Sequence, residues 1–327
     1  MAGVAGTAFQ QDILFAFGGG SPAITIAVLD GPVDRTHDCF RGAWLTPLGS
    51  AAESRSADGP ATAQGTHIAS LIFGQPCSSA EGVAPLCRGL IIPIFSEGQL
   101  GCSEPELARA IMLALDLGAH VINISDGLWR RGQQPDPDLG DAIARCNERN
   151  VLIITAAGGG RKLRSASGTT KAVLSVEAID RNGRPLASAG SQGMFSDGIA
   201  APGSNLRGAV LEGGVAFRSG ANFATALVSG IAGVLLGRQV QHGQTPNPRA
   251  VGEAILATAT PRVPVQPHDC QKALLGRGNI RAAAETMTVR GVHNRGDAAR
   301  SPFDVWLAPK LGSRSSVSRH AAFRPRA

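Results

Sequence analysis

Five short apolar runs recur along the chain with helix-forming segments between them, and this alternation narrows the possible folds more than any other feature. The runs are Ile24–Leu29, Gly89–Phe95, Val121–Ser125, Val151–Ala156 and Val173–Ala178, rich in β-branched residues. Continuous apolar runs of this length suit strands covered on both faces. Helix signals lie between them. Ser103-Glu104-Pro105-Glu106 joins a serine cap, an early proline and first-turn acids, predicting a helix to about Leu117 with Gly118 as its stop. Asp138–Arg149 predicts another, and Phe223–Leu236 is apolar all round, as a deeply buried helix would be. Thr66–Phe73 stays open between helix and strand. Together the pattern implies an α/β fold: a mainly parallel central sheet, helices on both faces, and chemistry at the carboxyl ends of the strands.

At 327 residues, 43% hydrophobic and 17% charged, the chain is expected to be a globular protein with a sizeable core. Its net charge of +6 sits in one place. From Arg290 onward there are eight Lys/Arg against two Asp, which leaves 23 of each sign in the rest. A balanced body argues against a nucleic-acid-binding domain. The expected organisation is an N-terminal extension (1–20), one domain (21–285) and a basic, disordered tail (286–327). Met1–Gln11 lacks the basic start of an export signal, and no run reaches the roughly 18 apolar residues of a membrane span. The expectation is a cytoplasmic protein with no membrane partner, whose six cysteines are reduced. None forms a Cys-x-x-Cys pair and His37-Asp38-Cys39 reads as an ordinary polar loop, so no metal and no cofactor are expected.

Three segments stand where an acid, a base and a nucleophile would be wanted. Asp30 ends the first strand, His67 lies in Gly65-Thr66-His67, and Ser219-Gly220-Ala221-Asn222-Phe223-Ala224-Thr225 leads into the buried helix. Taken singly, Asp30 reads equally as a turn-forming acid before Gly31, and His67 as a structural histidine. In this order, with Val-Ile-Asn-Ile-Ser and Ala-Ala-Gly segments between them, they resemble the subtilisin-like serine proteases. Asp30–Asp34, Cys39–Ala43, Gly65–Gly74 and Gly82–Phe95 resemble, more narrowly, the subtilisin-like proteases of cyanobactin pathways, which trim or macrocyclise ribosomally made peptides.

The resemblance implies a three-layer subtilisin-like α/β fold with a groove for an extended peptide. It implies His67 as general base, Asp30 as the acid that orients it, and Ser125, Asp126 and Gly127 as the edge that pairs with a peptide partner. This chain departs from the family where the reaction occurs. Asn222 stands at the nucleophile position of Gly-Thr-Ser-Met-Ala-Thr, Gly159 replaces the oxyanion-hole asparagine of Ala-Ala-Gly-Asn, and Ala226 replaces a proline. A carboxamide nitrogen is not an activatable nucleophile. In subtilisin itself, losing the serine costs about 10⁶ in turnover, and losing the oxyanion donor about 10²–10³. The expectation is therefore an impaired protease that binds peptide. The rival is a working serine endopeptidase, with the register misread or a single substitution imposed on an active parent, and a third reading is a decayed copy. Ser219 and Ser229, three residues early and seven late, lie off the helix-start position where a substitute serine would be needed.

Overall fold

The computed structural model describes residues 18–49, 58–98, 101–125, 136–157, 159, 163, 172–180, 182–186, 198–261, 272–273 and 283. They belong to one compact unit, Met1–Gly291. The expected tail, most of the N-terminal extension, and Asp126 and Gly127 lie outside the described residues.

In chain order the elements are β1 (Thr25–Asp30), β2 (Leu45–Pro47), α1 (Pro60–Phe73), β3 (Arg88–Pro93), α2 (Glu104–Asp116), β4 (Val121–Ile124), α3 (Pro137–Glu148), β5 (Leu152–Ala156) and β6 (Val173–Ile179). Then follow β7 (Gly198–Pro202), β8 (Leu206–Ala209), β9 (Val215–Arg218), α4 (Ala221–Gln241), α5 (Pro248–Thr258), β10 (Thr260–Pro261) and β11 (Lys272–Ala273). The main sheet runs β10-β11-β7-β6-β5-β4-β1-β3-β2. It is parallel throughout except for the β10–β11 pair. β8 and β9 form a separate antiparallel hairpin. The expected strands are β1, β3, β4, β5 and β6, each within a residue or two of its apolar run.

Alternate residues of each strand feed two cores, as the pleat requires. Val28, Ile154 and Leu174 join α1 and α4 on one face. Ala27, Leu29, Ile122 and Ile153 join Leu107 and Ile111 of α2, and Leu139 and Ile143 of α3, on the other. Each fully buried Leu or Ile contributes roughly 1.5–3 kcal/mol, so the two-sided burial of the sheet outweighs the helices' own propensities. α4 shows why an all-round apolar sequence was needed, because it lies within the core from Phe223 to Gly237. It is long and apolar enough to cross a membrane, yet most of that apolar stretch is enclosed by protein.

The helix starts repay their sequence signals. Ser103 caps α2 in a complete capping box with Glu106, and Asp136 caps α3 by accepting from Asp138 and Leu139 N–H. α1 resolves the open segment as helix, but Gly59 at its N-cap has no side chain to offer. The donors of its first turn are met from a distant loop, where Glu97 accepts from Ala61 N–H (3.0 Å) and Thr62 N–H (2.8 Å). Partial burial alone would raise this carboxyl, but the bonds from Thr62 and Ala61 outweigh it and hold it below its ordinary value. Glu97→Ala is expected to destabilise the fold by about 1 kcal/mol, as loss of a helix cap does. Because the folded carboxyl ionises at lower pH than the unfolded one, the Glu97 contribution is present above the unfolded value and fades as pH falls through the folded one. Urea titrations of both proteins at neutral and acid pH check this: their stabilities converge in acid.

Candidate active site

β1 delivers Asp30 to the carboxyl edge of the sheet, where its backbone carbonyl accepts from Ile94 N–H at 2.9 Å. Its side chain is fully buried. A buried carboxylate needs hydrogen-bond donors, and two come from nearby chain. Gly31 N–H donates to Oδ1 at 2.7 Å. The Gln64 carboxamide, on α1, donates from Nε2 to Oδ1 at 3.2 Å and lies 3.4 Å from Oδ2.

His67 sits on the same helix, and the expectation that Asp30 orients it is not met. Its ring is fully buried and, among the described residues, neither ring nitrogen has a hydrogen-bond partner. Phe223 of α4 packs against it edge to face, with centroids 4.9 Å apart. β8 closes over it so tightly that a β-carbon on Gly208 would lie 2.7 Å from the imidazole. Burial, reinforced by the Arg218 guanidinium, lowers His67 from 6.5 to about 4. The backbone of Leu206 and Ala209 faces the ring and pulls weakly the other way without reaching hydrogen-bond geometry. The imidazole is neutral, sealed and apart from Asp30. This is the structural-histidine alternative that residue type alone left open.

Asn222 lies in the first turn of α4, half-buried, as the alignment expects. Gly220 caps that helix at φ 156° with no side-chain cap bond. A β-carbon on Gly220 would lie 2.5 Å from Asn222 Oδ1, so the carboxamide is folded back over the cap residue. Gly159 is buried and has no side chain to donate to an oxyanion. The main-chain N–H groups of the α4 first turn remain, since helix geometry gives them no intrahelical acceptor.

The candidate rescuing serines are occupied elsewhere. Ser219 Oγ accepts from Asn205 N–H at 2.8 Å. Ser229 Oγ is buried and donates to Asn123 Oδ1 at 2.8 Å. Asn123 in turn donates through Nδ2 to Ser125 Oγ. Ser125, expected on the peptide-binding edge, is thus buried within a side-chain network at the end of β4. Ser70 Oγ donates to the His67 carbonyl and accepts from Ala209 N–H, both at 2.8 Å. Among the described residues no hydroxyl reaches the His67 ring.

Arg218, Gln64 and the hairpin were not singled out in the sequence. Arg218 Nη1 donates to the Ala63 carbonyl at 3.3 Å, tying β9 to α1. His37 ties the far end of the hairpin, with Nε2 2.8 Å from the Gly214 carbonyl and Nδ1 accepting from Cys39 N–H at 3.1 Å. Among the described residues no cluster of His, Cys, Asp and Glu could hold a metal. Cys39, Cys77, Cys87 and Cys146 are free thiols, and burial pushes Cys39, Cys87 and Cys146 up to about 12, which makes them unreactive.

Two outcomes follow for His67. Because its folded value is depressed, the unfolded chain binds more protons in mild acid, so stability is full above about pH 6.5 and is lost as pH falls toward 4. Thermal unfolding across that window, with the His67 ring resonances followed by NMR, checks both the slope and its origin. Gly208→Ala is expected to cost about 1–3 kcal/mol, because a methyl group must displace a packed ring. Unchanged stability would show that the hairpin does not close on the imidazole.

Known proteins resemble this chain in sequence and fold. A sequence model of the subtilase family matches residues 21–288. The cell wall-associated protease of Bacillus subtilis (strain 168) is 32% identical over 213 residues, 64% of this chain and 23% of that protein. A thermophilic serine proteinase of Bacillus sp. (strain AK1) is 27% identical over 66% of this chain and 53% of its own length. The chain thus spans 23% and 53% of the length of these curated relatives. Among solved structures, the patellamide maturation protease PatA is 40% identical with a TM-score of 0.67, covering 83% of this chain and 98% of its own. The prenylagaramide maturation protease PagA is 38% identical with a TM-score of 0.68, covering 85% and 98%. The PatG macrocyclase domain is 26% identical with a TM-score of 0.70, covering 83% and 94%. The matched span takes in the whole described sheet and its helices, and the chain belongs to the subtilase family.

Proposed function

We propose that this chain is a catalytically impaired subtilase of a cyanobactin-type peptide-maturation pathway, a pseudoprotease that holds a precursor peptide in its groove without cutting it. The observation that carries the reading is Asn222, a carboxamide folded back over Gly220 at the head of α4 where acyl transfer needs an activated hydroxyl. Likeness to PatA and PagA over nearly the whole of those chains supports the pathway. A peptide ligand is supported by the PatG macrocyclase, which is known in complex with a peptide. Gly159 supports silence over a single-site accident, since loss of the oxyanion donor serves no purpose in an active enzyme. Free thiols suit a reducing compartment, and the reading places the protein in the cytoplasm.

Fluorophosphonate labelling tests the silence. The purified protein is expected to form no stable adduct, and an adduct on any serine would reinstate the working-endopeptidase reading. Isothermal titration with a candidate precursor peptide tests the binding role: saturable heat with intact peptide recovered afterwards is expected. If no precursor binds, the chain is a decayed copy rather than a binding protein.

A further inference from the structure

We propose that Gln64, rather than His67, occupies the general-base position, so that the site is silenced at its base as well as at its nucleophile. The inference rests on the reading of the groove as a silenced protease site and adds to it. In an acid–base–nucleophile triad the carboxylate identifies the base, because it hydrogen-bonds the group it orients. Asp30 is bonded by Gln64 Nε2, at 3.2 and 3.4 Å from its two oxygens. Gln64 is half-buried, so it bonds the carboxylate while keeping part of its surface accessible, as a group that must meet both carboxylate and substrate has to. His67, one helical turn further on, fails the geometric requirement. A base must come within about 2.6–3.2 Å of the proton it removes, and the His67 nitrogens are shut between Phe223 and Gly208.

The carboxamide explains how the site lost its base without losing its structure. An imidazole would donate one N–H to Asp30 and present its other nitrogen to the nucleophile. Gln64 keeps the first half, since its N–H satisfies the buried carboxylate. Its other terminus is an amide oxygen, which does not take a proton at physiological pH. In a working site the serine O–H bond breaks as its oxygen bonds the carbonyl carbon; the proton passes to the imidazole and then to the leaving amine. With Gln64 there is no acceptor for that proton, so restoring a serine alone cannot restore the step.

The test compares fluorophosphonate labelling rates of the full chain carrying Asn222→Ser and Gly159→Asn with those of the same protein carrying Gln64→His in addition. The double variant is expected to label no faster than wild type. Adding Gln64→His is expected to raise the rate by about 10²-fold or more, with the rate climbing with pH through one histidine ionisation. Equal rates for double and triple variants would overturn the proposal. So that a folding defect cannot hide the answer, the single Gln64→His variant is titrated by NMR. Its new imidazole is expected to ionise above the ordinary histidine value, and to return to it when Asp30→Asn is added. A value indifferent to Asp30 would overturn the proposal. Neither outcome touches the wild-type labelling experiment, so the two readings fail separately.

Discussion

A carboxylate sealed at the edge of a parallel sheet has to be satisfied whether or not it takes part in chemistry. Asp30 is that group. It ends β1, the strand between β3 and β4, and no part of it meets solvent. Leaving an ionised acid there unpaired would cost several kcal/mol, so the chain must keep donors around it whatever the site does. The Gly31 amide and the Gln64 carboxamide supply them. On the reading proposed for Gln64, a neutral donor of similar reach in place of a base would leave the scaffold intact, because the carboxylate stays satisfied.

The same logic governs the other side of the cleft. α4 must be apolar to enter the core, and its first turn must therefore project from the core at a fixed place, beneath the hairpin and beside α1. Position 222 stays at the head of that helix whatever side chain it carries. With asparagine there, the amide turns back over Gly220 and the positive end of the helix remains. The hairpin is drawn down by Arg218 on Ala63, by Ser70 on Ala209 and by His37 on Gly214, and it closes over His67. That imidazole is part of the core's packing against Phe223.

Legibility followed length and periodicity. The five core strands and the helices α2, α3 and α4 are visible in the sequence because continuous apolar runs and capping signals are local, whereas α1 has no side-chain cap to mark its start. Asp136, two residues ahead of the expected start of α3, was missed because an Asp-Pro-Asp stretch offers two acids for one cap. The hairpin β8–β9 and the short strands β2, β10 and β11 were missed because few residues each carry no period. β9 also exposes Val215 and Phe217 in alternation with half-covered Ala216 and Arg218, a pattern too short to separate from a loop.

What the amino-acid sequence determined by itself was the order of the five core strands and of α2, α3 and α4, the parallel sheet they imply, and the absence of a hydroxyl at position 222, since each depends on residue identity at known spacing. What only the tertiary structure decided was which side chain on α1 meets Asp30. Gln64 and His67 lie three residues apart, near enough on the helix that spacing cannot choose between them. The choice came from distant chain: Gly208 and Phe223 closing on one, and the carboxylate of β1 reaching the other.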